Sequence, residues 1–229
     1  MVGRKEGALV LRITRLFGVV AVGAALVLGL PAIADAAAKP HKGTTCTGTL
    51  AAGTYHKLVV PAGAVCTSAG RVTILGGVYI GRGATFVLGS DQTPRSTSRI
   101  NGPVRATRPA SVQIHSTTIN GGVDIRGGSG PSGGPFGITW TTIEDSWING
   151  GATIVGYNGF WMGFIRNHVN GSVTLSNNHL VDEDGNEYVT NVIHGSLRCY
   201  GNDPAPHVGD SEGGPNRVTG QKLGQCAKL

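Results

Sequence analysis

One short sequence motif, called the phrase below, recurs along most of the chain, with apolar and polar positions alternating around a glycine. It starts with an aliphatic residue, continues with Asn-Gly or a variant and a small residue, and ends on two aliphatic residues separated by one other residue, as in 119–125. Its central glycines lie at positions 76, 102, 121, 150, 171, 195 and 220. The phrase thus returns about every 24 residues on average, which is the length of a structural unit that stacks on its neighbours to bury its apolar face.

The end of each phrase predicts a β-strand, because successive side chains of a strand point to opposite faces of a sheet. A second alternating pair stands in several repeats, as at Phe86 and Leu88 or at Val112 and Ile114. Two or three short strands in each repeat, without helical periodicity, are typical of one turn of a parallel β-helix. The pattern therefore predicts an all-β fold, a parallel β-helix (β-solenoid) of about seven coils.

The Asn-Gly pair of the phrase predicts a sharp corner between strands. We expect the glycine to supply the backbone angles of the corner and the asparagine to tolerate a left-handed conformation beside it. Coils stacked about 4.8 Å apart align one asparagine per coil, and amide side chains at that spacing hydrogen-bond along the stack. The predicted ladder consists of Asn101, Asn120, Asn149 and Asn170.

Residues 1–38 show the order of features of a secretory signal peptide. Four basic residues between positions 4 and 15 precede an apolar run at 19–30, and small residues that fit A-x-A cleavage sites follow. The run is shorter than the roughly 20 residues of a membrane span. We expect residues 39–229 to form a single mature domain without a later membrane span; the alternative is an uncleaved N-terminal anchor.

The four cysteines form two close pairs near the two ends of the repeat region. An even number of cysteines in an exported chain indicates disulfides, and three pairings are possible in principle. We favour Cys46–Cys66 and Cys199–Cys226, because the members of each pair are separated by close to one repeat. Neighbouring coils bring such residues within the Cα distance that a disulfide accepts, so both bridges are expected to staple the ends of the solenoid.

Together these features resemble a group of small, uncharacterised secreted bacterial proteins. The resemblance rests on C-T-G-T-L at 46–50, V-P-A-G-A at 60–64, the I-N-G-G repeats and T-G-Q-K-x-G-Q-C at 219–226. It covers nearly all of residues 39–229. It implies a right-handed parallel β-helix, and it carries no activity or catalytic residue over to this chain.

Charge is distributed unevenly along the repeats. Residues 39–126 contain ten Lys and Arg and two Asp, a net charge of +8, whereas residues 127–229 contain five Lys and Arg and nine Asp and Glu, a net charge of −4. In a solenoid this order becomes a basic and an acidic end, and a basic surface attracts anionic polymers. Head-to-tail association and a plain solvated surface are the alternatives. The candidate polyanion-binding residues are Arg82, Arg95, Arg99, Arg105 and Arg108.

The densest acidic stretch lies at 182–187. Oxygen ligands at alternating positions can surround calcium, which makes Asp182, Asp184, Asn186 and Glu187 a weak metal candidate. A solvated loop between coils is the favoured interpretation of these residues.

A polysaccharide lyase or hydrolase requires a carboxylate that converges with a base or a second acid. The only such pairing that we advance joins Asp182 or Asp184 to Arg166. The outward row of the repeated strand holds one carboxylate among Tyr79, Arg105, Asp124, Thr153, Thr174 and Arg198. The sequence therefore favours a protein that does not catalyse.

Six aromatic residues are concentrated between positions 140 and 164. Exposed rings can form a platform for sugar rings, whereas buried rings would fill the solenoid. Tyr157 and Trp161 are the preferred stacking candidates, because Gly-Tyr-Asn-Gly at 156–159 is typical of an exposed turn. Packing inside the fold is the favoured alternative.

The sequence thus favours a secreted, non-catalytic β-solenoid scaffold at the cell surface or in the surrounding matrix, with a cell-wall or extracellular polysaccharide as partner. No cofactor and no nucleic-acid partner are expected, and the chain is expected to be monomeric or weakly self-associating. The alternatives are a polysaccharide lyase or hydrolase of pectate-lyase-like fold and a self-assembling structural protein. Any site is expected on the loops at 89–99, 127–137 and 181–188, because loops carry function on a rigid scaffold.

Overall fold

The computed structural model describes residues 43–90, 98–128, 140–209 and 213–229. The chain divides into two units, 1–36 and 37–229, and every described residue belongs to the second. The expected signal peptide at 1–38, the candidate Arg95 and most of the loops 89–99 and 127–137 lie outside the described residues.

The described residues form a parallel β-helix with three sheets, in which each strand pairs in parallel with the strand one coil away. Sheet 1 consists of Thr44–Thr45, Leu58–Val60, Val78–Ile80, Val104–Thr107, Val123–Arg126, Ala152–Val155, Val173–Ser176, Leu197–Tyr200 and Lys222–Gly224. Sheet 2 consists of Thr49–Leu50, Val65–Ser68, Thr85–Leu88, Ser111–His115, Trp140–Glu144, Trp161–Ile165 and Asn186–Val189. Sheet 3 consists of Gly53–Tyr55, Val72–Ile74, Ser98–Ile100, Thr117–Ile119, Trp147–Ile148, His168–Val169, Val192–Ile193 and Arg217–Val218.

Seven consecutive coils each contribute one strand to every sheet, which confirms the predicted all-β solenoid. A short 3-10 helix, Gln225–Lys228, follows the last strand. Within the described ranges, no helix has the length and apolar character needed to cross a membrane.

Side chains alternate in sheet 1 as the repeated phrase predicts. In the strand Val123–Arg126, Val123 and Ile125 are buried while Asp124 between them is partly exposed. Parallel pairing in register places the equivalent residues of successive coils directly above one another. The outward row of sheet 1 contains Val59, Tyr79, Arg105, Asp124, Thr153, Thr174, Arg198 and Leu223. The inward rows supply the apolar core, because side chains in register pack against the same row of the neighbouring coil.

The glycines of the repeated phrase are needed for close packing and not for their backbone angles. A Cβ placed on Gly121 would lie 2.6 Å from the carbonyl carbon of Gly102, and one on Gly102 would lie equally close to that of Gly76. None of the seven phrase glycines is among the described residues with positive φ. The expectation that these glycines supply unusual corner angles is therefore wrong: at this corner the backbones of adjacent coils touch, and no side chain fits between them.

Left-handed backbone occurs at the other two corners. Arg166 and Thr190 have φ of 53° and 57° between sheets 2 and 3, and Asn177 has φ of 52° between sheets 1 and 2. The residue that follows each of them is a buried asparagine, Asn167, Asn191 or Asn178. A non-glycine residue with positive φ is uncommon, so these corners depend on the hydrogen bonds of the asparagines that follow them.

The buried asparagines form two internal ladders that sequence analysis did not identify. Between sheets 2 and 3, the backbone N–H of Asn167 donates to Oδ1 of Asn191 at 2.9 Å, and that of Asn191 donates to Oδ1 of Asn216 at 3.0 Å. Between sheets 1 and 2, Asn178 and Asn202 repeat the arrangement at 3.1 Å, and Gln225 ends the row. These side chains satisfy backbone groups that the turns leave without a partner.

Both expected disulfides are present. Cys46 bonds to Cys66 with a Cα–Cα distance of 5.5 Å, and Cys199 bonds to Cys226 at 5.3 Å. All four residues are buried and belong to the apolar core. Each bridge therefore closes one end of the core of the β-helix.

Candidate functional site

An open groove follows the corner between sheets 1 and 2. It has a volume of about 470 Å³ and is lined by Arg82, Gly83, Arg108, Gly127, Gly128, Gly156 and Asn158. The backbone stacks along it: the N–H of Gly83 donates to the carbonyl of Arg108 at 2.8 Å, and that of Gly127 donates to the carbonyl of Val155 at 2.7 Å. Its floor is mainly glycine backbone, so among the described lining residues only the two arginines and Asn158 have side chains along its sides.

The candidate arginines are divided between two faces of the β-helix. Arg82 and Arg108 lie in the groove, and Arg105 points outward from the neighbouring strand of sheet 1. Arg99 lies on sheet 3, where its Nε donates to Oδ1 of Asn101 at 3.1 Å. None of the ion pairs found between described residues involves Arg82, Arg105 or Arg108. The groove therefore brings together two of the five predicted arginines, with Arg105 on the adjoining strand of sheet 1 and Arg99 on another face.

Arg166 holds two carboxylates at the corner between sheets 2 and 3. Its Nε and Nη2 each lie 2.7 Å from a carboxylate oxygen of Asp145, and Nη2 lies 3.3 Å from Oε2 of Glu144. The hydrogen bond to Asp145 is the main cause that raises the pKa of Arg166. Glu144 also accepts a 2.6 Å hydrogen bond from the hydroxyl of Thr142, and its Oε2 lies 3.8 Å from Nδ1 of His115. Arg166 thus bridges the two carboxylates and braces the corner.

Arg166 does not meet the acidic loop, so the catalytic pairing with Asp182 or Asp184 is wrong. Arg166 follows the strand Trp161–Ile165, whereas the two aspartates precede the strand Asn186–Val189 that pairs with it in register. Arg166 and the two aspartates therefore lie at opposite ends of these paired strands of sheet 2.

The weak calcium candidate is not supported by the geometry either. Asn186 points inward, where its Nδ2 donates to the carbonyl of Pro204 at 2.8 Å and its Oδ1 accepts from the hydroxyl of Tyr188 at 2.6 Å. Oδ1 of Asp182 accepts the backbone N–H of Asp184 at 3.2 Å, which closes a local turn. The next residue of the strand, Glu187, is fully buried on the opposite face of sheet 2 from Asn186. Among the described residues, no group of three His, Cys, Asp or Glu side chains is placed to hold a metal ion.

The two predicted stacking residues are not exposed platforms. Tyr157 is fully buried, and its hydroxyl donates to the carbonyl of Ala110 at 2.9 Å, so the expectation of an exposed turn is wrong there. Trp161 is partly buried on sheet 2, where its ring covers Gly163. For Tyr157, packing inside the fold is the correct alternative.

An exposed tryptophan lies instead on sheet 3. Trp147 is 47% exposed, and its indole stacks on the imidazole of His168 with ring centroids 4.6 Å apart and planes inclined by 1°. Trp147 is not among the predicted stacking residues, although the sequence pattern marks it as outward-facing. Ile148 begins a repeated phrase and points inward, so alternation places Trp147 on the outside.

The predicted asparagine ladder runs beside this aromatic pair on the surface. Nδ2 of Asn120 donates to Oδ1 of Asn101 at 2.9 Å, Asn149 donates to Asn120 at 2.8 Å, and Asn170 donates to Asn149 at 2.9 Å. The ladder also accepts from two side chains of sheet 3, since Nε1 of Trp147 donates to Oδ1 of Asn149 at 3.1 Å, as Arg99 does to Asn101. It therefore fixes the orientation of outward side chains as well as the corner.

Comparison with protein-family models, curated proteins and solved structures finds no match for this chain.

Proposed function

We propose that this protein is a secreted, non-catalytic β-helix scaffold that binds an acidic polysaccharide along the groove between sheets 1 and 2. The observation that carries the proposal is the placement of Arg82 and Arg108 beside a glycine floor, with Arg105 on the adjoining strand and no ion pair to any of them between described residues. These guanidinium groups are available to an external anion.

The chemistry of the groove suits a chain of carboxylates. A guanidinium group donates two parallel hydrogen bonds to a carboxylate, and such charge-assisted bonds are about twice as strong as neutral ones. A glycine floor lets a polymer approach the backbone closely, because no side chain stands in its way. Binding that depends on arginine charges weakens as salt screens them.

Two features support export. The order of charge, apolar run and small residues in 1–38 is that of a signal peptide. Both disulfides join buried cysteines, and disulfides persist in oxidising compartments. These features support the proposal that the mature chain is extracellular, at or near the cell surface.

The non-catalytic part of the proposal is supported by the ion pairs that three described carboxylates already form. Asp124 is the one carboxylate of the outward row of sheet 1, and its Oδ1 lies 2.9 Å from Nε of Arg126. Glu144 and Asp145 are both bound by Arg166. An acid and base pair for glycosidic cleavage requires two carboxyl groups about 5–9.5 Å apart that are free to act, and these carboxylates are already paired.

The test is co-sedimentation of the purified protein with an insoluble polyuronate, compared between the double variants Arg82→Gln/Arg108→Gln and Arg198→Gln/Arg217→Gln. Both variants remove two positive charges, but the second pair lies outside the groove. We expect the groove variant to bind at least about tenfold more weakly at low ionic strength, because each lost guanidinium contact is worth about 1.5–3 kcal/mol. The control should bind within about threefold of the wild type, as expected for distant charges.

Two results would count against the proposal. Equal weakening by both variants would show that total charge and not the groove controls binding. A decrease in polyuronate chain length, followed in the same samples, would make the protein an enzyme.

A further inference from the structure

Sheet 3 presents a row of outward side chains, one from each coil. In register, this row contains Arg99, Thr118, Trp147 and His168 in consecutive coils. Coils are separated by about 4.8 Å, which agrees with the 4.6 Å between the Trp147 and His168 ring centroids. The two rings are thus stacked along the axis of the β-helix. One face of the indole is covered by His168, and the other face is directed towards the coil of Thr118.

Thr118 is the short member of this row and leaves a slot. Arg99 and Trp147 stand on either side of it, two coil spacings or about 9.6 Å apart. The asparagine ladder holds both walls: Arg99 donates to Asn101 and Trp147 donates to Asn149, each at 3.1 Å. Asn120 connects these two asparagines at the level of Thr118. The slot therefore has an indole wall, a guanidinium wall, a hydroxyl floor and an amide side.

At about 9.6 Å between its walls, the slot is wide enough for one saturated ring. A ring in van der Waals contact with both walls needs about 3.5–4.0 Å on each side, or about 7–8 Å in total. The indole offers an apolar face for the C–H groups of a sugar, and few polar groups around an aromatic wall are typical of ligand sites. The hydroxyl of Thr118 is placed to bind sugar hydroxyls.

The charge around the slot selects an acidic ring. In the described part of sheet 3, the outward row contains no carboxylate, and Arg99 is its cationic residue beside the slot. Within the described part of the chain, Arg99 is engaged only through Nε, which donates to Asn101, and the two terminal nitrogens of its guanidinium remain to bind a carboxylate. A uronic acid residue, which is a pyranose with a carboxylate, offers a ring face to the indole of Trp147 and a carboxylate to the guanidinium of Arg99.

We propose that the slot between Arg99 and Trp147 binds one uronic acid residue of an acidic polysaccharide. The inference rests on the proposed function for the class of ligand. It concerns a different face of the β-helix from the arginine groove, so the two can be tested separately.

The test uses a short oligouronate and a neutral oligosaccharide of the same length and linkage, titrated against tryptophan fluorescence. Thr118→Tyr fills the slot at a partly buried, outward strand position, and strands accept aromatic residues. Thr153→Tyr makes the same change on the outward row of sheet 1 and is the matched control. We expect the oligouronate to change the fluorescence of the wild type, of Thr153→Tyr and of Arg82→Gln/Arg108→Gln. Thr118→Tyr should bind at least about tenfold more weakly.

A second variant tests the charge of the slot. Arg99→Gln should lose the preference for the oligouronate over the neutral oligosaccharide, because its amide carries no charge to pair with the carboxylate. Unchanged affinity in Thr118→Tyr would overturn the slot, and equal binding of both oligosaccharides by the wild type would overturn the acidic ligand. If Arg82→Gln/Arg108→Gln lost binding of the oligouronate and Thr118→Tyr bound it as the wild type does, the groove would be the binding site and the proposed slot would be wrong.

Discussion

Asparagine has two different roles in this protein, and the difference is burial. The exposed ladder of Asn101, Asn120, Asn149 and Asn170 bonds side chain to side chain. The buried ladder through Asn167, Asn191 and Asn216 satisfies backbone groups: Nδ2 of Asn191 donates to the carbonyl of Phe164 at 2.6 Å. Water can replace a lost bond in the first ladder but cannot reach the second, so the same residue type contributes unequally to stability.

We therefore expect Asn191→Ala to destabilise the protein by about 3 kcal/mol and Asn149→Ala by less than about 1 kcal/mol. The first change leaves the N–H of Asn167 and the carbonyl of Phe164 buried without their partner. Urea unfolding of both variants beside the wild type measures the difference. Similar losses in the two variants would contradict the distinction.

A buried tyrosine hydroxyl makes the stability of the folded protein depend on pH. Tyr188 is fully buried, and burial raises the pKa of its phenol above the usual value of 10.0. A raised pKa in the folded state means that this contribution to stability is complete below about pH 10 and decreases above it, because the unfolded chain ionises first. We expect the loss of unfolding free energy above pH 10 to be smaller in Tyr188→Phe than in the wild type, as followed by urea unfolding across that range. An identical decrease in both proteins would assign the alkaline loss to other groups.

At the scale of the element, the corner between sheets 3 and 1 is the most restrictive part of the coil. The carbonyl of Gly76 accepts the N–H of Gly102 at 2.8 Å, and Gly150 and Gly171 continue this contact at 3.0 Å. Backbones this close exclude even a methyl group. The spacing of the phrase glycines along the chain varies, yet the corner they form is the same, because insertions are placed in the other connections of the coil.

Gly121→Ala is expected to destabilise the protein by about 2–3 kcal/mol, since its Cβ would press into the backbone of Gly102 and Pro103. Gly214→Ala is the control, because a Cβ there meets nothing within 4 Å and its φ is not positive. Thermal unfolding followed by circular dichroism compares the two. An unchanged melting temperature for Gly121→Ala would show that the corner can widen.

At the scale of the whole β-helix, a single apolar core extends through the coils and is closed by disulfides. Cys66 and Cys199 occupy inward rows, in register with Phe86 and Leu175 respectively. Each bridge thus stands in the position of an apolar contact, in a coil at one end of the described stack. A terminal coil has only one neighbour to bury its face, and a covalent bond compensates for that loss.

Replacing both members of one bridge by alanine tests this role. Cys199→Ala/Cys226→Ala and Cys46→Ala/Cys66→Ala should each lower the free energy of unfolding by about 3 kcal/mol, and by similar amounts, because the two closed loops are of similar length. Urea unfolding under oxidising conditions provides the values. A negligible effect at either end would mean that the coil there is stable without its bridge.

Much of the architecture could be predicted because it depends on local patterns. Alternation around Ile125 or Ile154 assigns the inward positions, and the recurrence of the phrase implies stacking. The disulfide pairing followed from the same spacing. The site was predicted less well: two of the five arginines line the groove and a third lies on the adjoining strand, but Tyr157 is buried and Arg166 lies away from Asp182. Loop residues such as these have no periodic signal that would assign them to a face.

The sequence by itself determined the coil, its core and the exposed ladder, since each is set by which residue type recurs at each position of the repeat. The tertiary structure alone decided which side chains from distant repeats become neighbours. Repeats of unequal length separate Arg82 from Arg108, and Arg99 from Trp147, by different stretches of chain. Stacking at a constant spacing removes that difference and places each pair on one face of the β-helix.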